Sequence, residues 1–213
     1  MMFKTSSFSI LAAFATLFVT SCGKKDSNTS SCSEGNQVNS VCFRNLTQEN
    51  INFSNGVLSG TGSVVAVEAL AESSDSGRNI SLTFSVQEGG SLVLRTFAKN
   101  DLTGGIDIKL SRVSSRLSLN FIKGNDVSAS RELEGVDATS EIKLILDIHN
   151  DESPAHIVVW NGAGTFNKDQ KLLDSEEENS IQPAGKGGDK FWGFSLNNAS
   201  LSNVIVGDPK DED

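Results

Sequence analysis

Apolar and polar residues alternate with a period of two in several runs of this chain. The runs are residues 80–87, 106–111, 116–121 and 142–149, and only Ile145 interrupts the polar side of the last one. Successive side chains of a strand point to opposite faces, so each run predicts a strand with one face on a core and the other in water. The pattern predicts an antiparallel all-β fold.

Glycine-containing turn signals separate these runs and suit hairpins, because glycine adopts positive φ without strain. Many short strands spaced in this way predict a sandwich or a barrel. Residues 64–71 are ambiguous between a strand and a short helix, and the charged residues 168–179 suggest a loop with one helical turn. The turn signals are Glu88-Gly89-Gly90, Thr103-Gly104-Gly105, Lys123-Gly124-Asn125-Asp126 and Asn161-Gly162.

The start of the chain reads as an export signal. Lys4 is followed by an apolar run, Ile10 to Val19, and then by small residues before Cys22. A positive start, a short apolar segment and a small-residue cleavage site are typical of a secretory signal peptide. The apolar run is shorter than the about 20 residues that span a bilayer. An ordinary signal peptide with a nearby cysteine is the alternative to a lipidated one.

The residues Val19-Thr20-Ser21-Cys22 resemble the bacterial lipobox. The resemblance implies cleavage before Cys22, a diacylglycerol on its thiol and a further acyl chain such as palmitate on its amine. Two or more chains give stable membrane attachment. Gly23 differs from the aspartate that retains some lipoproteins at the inner membrane, so the expected location is the outer membrane. The predicted divisions are a signal peptide (1–21), a lipidated polar tether (22–38), a β-sandwich (39–207) and an acidic tail (208–213).

Charge narrows the expected partners. The chain has 18 basic and 27 acidic side chains and a formal charge of −9, which becomes −10 once residues 1–21, with Lys4, are removed. Nucleic-acid binding requires a basic surface, so nucleic acid is not an expected partner. The expected partners are the membrane, through the lipid, and a glycan or an envelope protein.

Cysteine usage agrees with export. If Cys22 carries lipid, Cys32 and Cys42 remain, and an even remainder in an oxidising compartment predicts a disulfide. Neither cysteine has a companion at zinc-ligand spacing, and the chain has only 2 histidines.

The order of the predicted strands resembles the concanavalin A-like jelly roll of lectins, laminin G modules and related glucanases. The resemblance covers most of residues 50–207 and implies an antiparallel jelly-roll sandwich that binds carbohydrate. Other jelly rolls and immunoglobulin-like sandwiches share the same pattern. The segments that carry it are residues 91–95, 105–110, 144–148, 156–162, 192–194 and 201–206.

Residues for chemistry are few. Glucanases of this fold use carboxylates two apart on one strand, and the chain has no Glu-x-Asp-x-Glu run, so no catalytic residues are predicted. Asp147 and Asp151 are candidate ligands for Ca²⁺, with a hairpin bearing solvated acids as the alternative. His149 and His156 could face each other across that hairpin.

Trp160 and Trp192 are candidates for stacking on a sugar ring, with core packing as the alternative. Three functions follow: a non-catalytic lectin-like module that binds glycan or protein, a structural envelope lipoprotein without a small-molecule ligand, and a glucanase-type hydrolase. The missing carboxylate run counts against the hydrolase. Exposed tryptophans on a sheet face would favour glycan binding, whereas a buried pair would favour the structural role.

Overall fold

Twelve strands form the fold, and every strand pairing among the described residues is antiparallel. The computed structural model describes residues 32, 36–47, 50–70, 77–123, 126–149, 156–162, 171–174 and 190–208, all within the unit Cys32–Asp213. No helix able to cross a membrane occurs among these residues. The strands are β1 (Gln37–Val38), β2 (Val41–Asn45), β3 (Ile51–Ser54), β4 (Val57–Ala66), β5 (Arg78–Ala98), β6 (Ile106–Val113), β7 (Arg116–Lys123), β8 (Asp126–Glu132), β9 (Ile142–His149), β10 (His156–Asn161), β11 (Lys171–Asp174) and β12 (Phe191–Gly207).

Three long strands, β4, β5 and β12, pass through both layers of a sandwich. One layer, which we call layer 1, consists of β2, residues 61–66 of β4, residues 191–197 of β12, residues 91–98 of β5, β6, β7 and β8. Layer 2 joins β3, residues 57–60, residues 199–207, residues 78–86, β9, β10 and β11. The two layers therefore share one continuous ladder that folds at the middle of these strands.

We call the place where β4, β5 and β12 bend from one layer into the other the fold line. The residues there tolerate a break in the strand pairing. Gly60 has a φ of 116° and Asn198 a φ of 49°, and β12 changes register between Asn197 and Ala199. Glu88-Gly89-Gly90 belongs to the same line. The expectation that these residues close a hairpin was wrong, because β5 continues through them and bends from one layer into the other.

The core lies between the two layers, and the apolar side chains of the alternating runs form a large part of it. A single apolar cluster takes inward-facing residues from both layers, which confirms the predicted antiparallel β-sandwich. Layer 2 contributes Ile80, Leu82, Phe84, Ile142, Leu144, Leu146 and Ile148, and layer 1 contributes Leu92, Leu94, Ile108, Leu110, Leu117, Leu119 and Phe121.

The opposite face of β9, which the alternation predicted to lie in water, is instead covered together with the same face of β10. Ile145, Val158 and Trp160 form a separate buried cluster there, and the neighbouring polar side chains are buried with them. Two ambiguous stretches also resolve in part: Val64–Ala66 completes β4, and Lys171–Asp174 is a strand where a helical turn was expected.

The N-terminal edge of the folded unit is held by a disulfide. Cys32 and Cys42 are bonded with Cα atoms 5.4 Å apart, as cysteine usage predicted. The strand β1 includes Gln37 and Val38, which the sequence analysis assigned to the tether, and Val38 is buried in the core.

Candidate functional site

An open polar cleft lies on the outer face of layer 2, beside the fold line. We call it the bend cleft; its volume is about 420 Å³, within the roughly 300–1,000 Å³ of small-molecule sites. Buried Val86 and Ala199 lie at its base, and no aromatic ring is among the described residues that line it. The remaining lining residues are Ser59, Gly60, Ser85, Gln87, Arg112, Thr139, Ser140, Asn198 and Ser200.

Three serines form a row across adjacent strands of the cleft. Ser200 of β12 is the register partner of Ser59 on β4 and of Ser85 on β5, so the three hydroxyls share one face. All three are partly exposed. Within the part of the chain that the structure describes, these hydroxyls make no hydrogen bond to protein, so each is available to donate to and accept from a ligand.

Arg112, near the end of β6, contributes a fixed cation to the cleft. Its Nη1 donates to Val86 O at 3.1 Å, and its Nε donates to Ser114 O at 2.8 Å. The same Nε lies 3.8 Å from Glu88 Oε2, whose partner oxygen Oε1 accepts from Ser114 N at 2.9 Å. These contacts hold the guanidinium between β5 and the β6–β7 turn.

The loop before β9 forms the opposite wall. Asp137 accepts hydrogen bonds from Thr139 Oγ1 at 2.7 Å and from Thr139 N at 2.9 Å, and its backbone oxygen accepts from Ser140 Oγ at 3.2 Å. The Thr139 hydroxyl, then its N–H, and the charge of Arg112 lower the pKa of Asp137 below its ordinary value. The loop is therefore ordered locally, with an ionised carboxylate at its base.

A second polar group on the same face of layer 2 is buried. Asp147 is 0% exposed; its Oδ2 lies 3.3 Å from His149 Nε2, and its Oδ1 accepts from Asn79 Nδ2 at 3.4 Å. His149 and His156 are register partners across β9 and β10, with ring centroids 4.6 Å apart and planes 9° from parallel. The expectation that the two histidines face each other is confirmed.

Burial determines what this second group can do. His149 is 5% and His156 4% exposed, and Asp174, which pairs with Lys171 at 3.2 Å, is also buried. The alternative of solvated acids was wrong for Asp147, which is 0% exposed. Asp147 has no exposed surface, and its group joins side chains of β5, β9 and β10.

Neither tryptophan presents a ring face to solvent. Trp192 is 2% exposed, donates its Nε1 hydrogen to Glu68 O at 3.2 Å and packs edge-on against Phe43 and Phe194. Trp160 is 3% exposed and belongs to the cluster with Ile145 and Val158. Their placement is the core-packing alternative of the sequence analysis.

The structure describes only some of the residues in the remaining predicted sites. Cys22 and Asp151 lie outside the described residues, so lipidation and a calcium site at Asp147 and Asp151 stay predictions. Among the residues that the structure does describe, no group of three or more His, Cys, Asp or Glu side chains is placed to hold a metal ion.

Sequence reasoning missed the bend cleft. Ser59, Ser85 and Ser200 are far apart in the chain and lie in no shared motif. Only the strand register brings them into one row, and register depends on the positions of the bulges at the fold line. One sequence signal could have indicated the site. Gly60, Gln87 and Asn198 each lie where the apolar–polar alternation of a long strand breaks.

Comparison with known proteins identifies the fold of this chain but not a family. No protein-family model matches the chain, and no curated protein sequence is significantly similar to it. Solved structures do resemble it. The carbohydrate binding module CBM66 from Bacillus subtilis has a TM-score of 0.50 at 10% identity, with 77% of this chain and 94% of that one covered.

Two further structures resemble the chain at similar distance. The Bacillus licheniformis β-glucanase has a TM-score of 0.51 at 10% identity, with coverages of 76% and 84%. The carbohydrate recognition domain of Emp47p has a TM-score of 0.53 at 8% identity, with coverages of 85% and 92%. At these identities the likeness establishes the fold, a concanavalin A-like jelly-roll sandwich, as the sequence predicted.

Proposed function

We propose that this chain is a lipid-anchored envelope protein whose jelly roll binds glycan in the bend cleft and catalyses no reaction. The observation that carries the proposal is the row of Ser59, Ser85 and Ser200, whose hydroxyls have no protein partner among the described residues and face an open cleft. Saccharides present many hydroxyls, and a rigid set of donors and acceptors on strands suits them. Two of the similar structures, the module CBM66 and the Emp47p domain, are named for binding or recognising carbohydrate.

We propose that the chain is not catalytic because of the spacing and burial of its carboxylates. Retaining hydrolysis needs two carboxyls about 5–5.5 Å apart and inverting hydrolysis about 6.5–9.5 Å, both reaching the sugar. No Glu-x-Asp-x-Glu run occurs in the sequence, and Asp147, the strand carboxylate that the sequence singled out, is buried. The similarity to a β-glucanase extends to the fold alone.

The proposed anchor rests on the start of the chain. The segment Val19-Thr20-Ser21-Cys22 resembles a lipobox, and Gly23 follows the cysteine. We place the protein at the outer membrane, with a diacylglycerol and an acyl chain on Cys22 and a polar tether before the folded unit. Such an anchor presents the cleft to glycans of the envelope or of the cell exterior.

A structural role without a small-molecule ligand is the second candidate. The observation in its favour is the burial of Trp160 and Trp192, which removes the aromatic platforms on which sugar rings commonly stack. Glycan binding in the bend cleft must then depend on hydrogen bonds alone, and modest affinity is expected. The two candidates differ in whether the purified protein retains any saccharide.

A glycan array tests the proposal directly. The full chain carrying Cys22→Ser, which prevents lipidation, is applied to the array with calcium and again with a chelator. Binding that is lost only with the chelator supports the predicted calcium site. No binding under either condition contradicts glycan recognition and leaves the structural role.

A hydroxyl-deletion variant locates the site. Combined Ser59→Val, Ser85→Val and Ser200→Val substitutions are expected to weaken binding about tenfold or more, since each neutral hydrogen bond contributes about 0.5–1.5 kcal/mol. The matched control is Ser63→Val with Ser195→Val, a hydroxyl pair 2.8 Å apart on β4 and β12 in layer 1. Equal loss of binding in both variants would place the glycan elsewhere.

A further inference from the structure

The charges around the bend cleft indicate which class of saccharide it accepts. We propose that the cleft selects uncharged saccharides and discriminates against uronate, sialylated and sulfated ones. This inference rests on the proposed glycan-binding function and adds the ligand's charge to it. It follows from the ionisable groups beside the serine row and from the way Arg112 is held.

Three carboxylates border the cleft, although none of them is among its lining residues. Arg112 is the one cationic residue among the described residues that line it. Glu88 lies 3.8 Å from the Arg112 Nε, Asp137 precedes the wall residues Thr139 and Ser140, and Glu141 follows them.

Glu141 is turned toward the same outer face. Its Oε2 accepts a hydrogen bond from Ser202 Oγ at 3.4 Å, and Ser202 Oγ also donates to Thr83 O at 3.2 Å. Lys143, exposed on the next outward position of β9, adds one further cation. The charged groups in and beside the cleft are therefore two cations, Arg112 and Lys143, and the three carboxylates. An anionic ligand would meet a net negative surface.

Arg112 is poorly available as an anion receptor. Its Nε and Nη1 already donate to the carbonyl oxygens of Ser114 and Val86, and Glu88 compensates its charge. Bidentate recognition of a carboxylate or sulfate uses a pair of free N–H groups on a guanidinium whose charge is not already neutralised. The unused N–H groups of Arg112 instead suit a hydroxyl oxygen, which brings no charge into the cleft.

The acids favour hydroxyl donors and disfavour anions. A carboxylate accepts a charge-assisted hydrogen bond from a sugar hydroxyl, whereas it repels a second carboxylate at the same distance. The formal charge of −9 on the whole chain acts in the same direction at longer range and at low ionic strength.

The test compares matched neutral and anionic saccharides on the full chain carrying Cys22→Ser. Glucan, mannan and galactan oligosaccharides are titrated beside their uronate or sulfated counterparts. We expect neutral ligands to bind at least about tenfold more tightly, and their Kd to change less than about twofold between low and high salt, since no ion pair is screened. Anionic ligands that bind as tightly or more tightly overturn the inference and leave glycan binding intact. No binding by any saccharide overturns the proposed function and the inference with it.

A charge-neutralising variant tests the cause of the selectivity. Glu88→Gln with Glu141→Gln keeps one acceptor oxygen on each side chain and removes two negative charges. Anionic saccharides are expected to gain about fivefold or more in affinity, whereas neutral ones, which lose the charge assistance of two acceptors, gain none. Glu132→Gln is the matched control, because Glu132 Oε2 lies 3.2 Å from Arg116 Nη1 and neither residue lines the cleft. Unchanged discrimination in the double variant, with the fold intact by circular dichroism, contradicts the electrostatic explanation.

Discussion

Two exposed aspartates, Asp101 and Asp137, begin turns of the same design. Each accepts a hydrogen bond from the hydroxyl of the threonine two residues later at 2.7 Å, and from that threonine's N–H at 2.9 Å. In both cases the threonine hydroxyl is the largest cause of a pKa below the ordinary 3.8, and the N–H is the second. Both hydrogen bonds are therefore stronger to the ionised carboxylate than to the protonated acid.

Removing one hydroxyl tests this arrangement. Thr103→Val keeps the size of the side chain and the backbone N–H, so the pKa of Asp101 is expected to rise and to remain below its ordinary value. Because the folded pKa is depressed, the stabilisation is present above the ordinary pKa and is lost as pH falls through the folded pKa. The variant should be less stable than the parent near neutral pH and equally stable in strong acid.

Carboxyl chemical shifts followed by NMR across pH measure the change. The internal control is Asp137, whose pKa should not move in the Thr103→Val protein because its own threonine is intact. An unchanged pKa at Asp101 would contradict the role of the hydroxyl.

At the scale of the strand, the fold line depends on close backbone contacts. A Cβ added at Gly90 would lie 2.7 Å from Asn197 O, 2.8 Å from Asn198 O and 2.9 Å from Gln87 O. These atoms are backbone and cannot turn aside as a side chain does. The glycine is therefore needed for its lack of a side chain, because it allows β5 and β12 to bend together.

Gly90→Ala is expected to destabilise the protein by about 1–3 kcal/mol or more, as overpacking of a rigid site does. The matched control is Gly207→Ala, at the end of β12, where an added Cβ meets nothing within 4 Å. Neither glycine has a positive φ, so the comparison isolates the steric contact. Urea unfolding measures both, and equal stabilities would show that the bend can relax.

The outer face of β9 supplies a second test at the same scale. Ile145 and Ile205 are both register partners of Ser81 and so lie on one face, but Ile145 is 2% and Ile205 49% exposed. Ile145→Asp would bury a charge and is expected to cost about 3 kcal/mol or more.

Ile205→Asp, the control, should stay within about 0.5 kcal/mol. The two free energies of unfolding come from denaturant titrations monitored by circular dichroism. A small effect at Ile145 would mean that this face opens readily to water.

How much of the strand structure could be predicted depends on the physical signal. Alternation identified the inward residues, such as Leu82 and Leu144, because one-sided burial leaves a period of two. The same pattern misled at Asp147 and His149, whose polarity indicated water although the strand is covered on both sides. Gly89-Gly90 indicated a break but not its kind, since a hairpin turn and a bend within one strand need the same backbone freedom. The bend cleft depends on register between distant strands, for which a single sequence has no local signal.

At the scale of the molecule, the disulfide ties the beginning of the folded unit to its sheet. Cys32 and Cys42 are separated by 10 positions, and Cys42 lies in β2, which pairs with β1 and β4. Cys32→Ser with Cys42→Ser is expected to lower the free energy of unfolding by about 2–3 kcal/mol, the loop-closure contribution of a short loop. Treatment of the parent with a reductant should give the same loss, measured by urea unfolding. Equal stabilities of the parent and the variant would mean that the paired strands hold this edge alone.

The proposed anchor would determine where the folded unit acts, and it is tested apart from the proposed glycan site. If Cys22 carries lipid, the full chain should partition into the detergent phase and Cys22→Ser into the aqueous phase, because two or more acyl chains attach a protein stably. Mass spectrometry of the mature N-terminus should show a modified cysteine as the first residue. A free thiol at Cys22, or a mature chain that begins elsewhere, contradicts the anchor. The bend cleft is distant in sequence from this cysteine, so Cys22→Ser should leave the Kd for neutral saccharides unchanged, which separates presentation at the membrane from recognition.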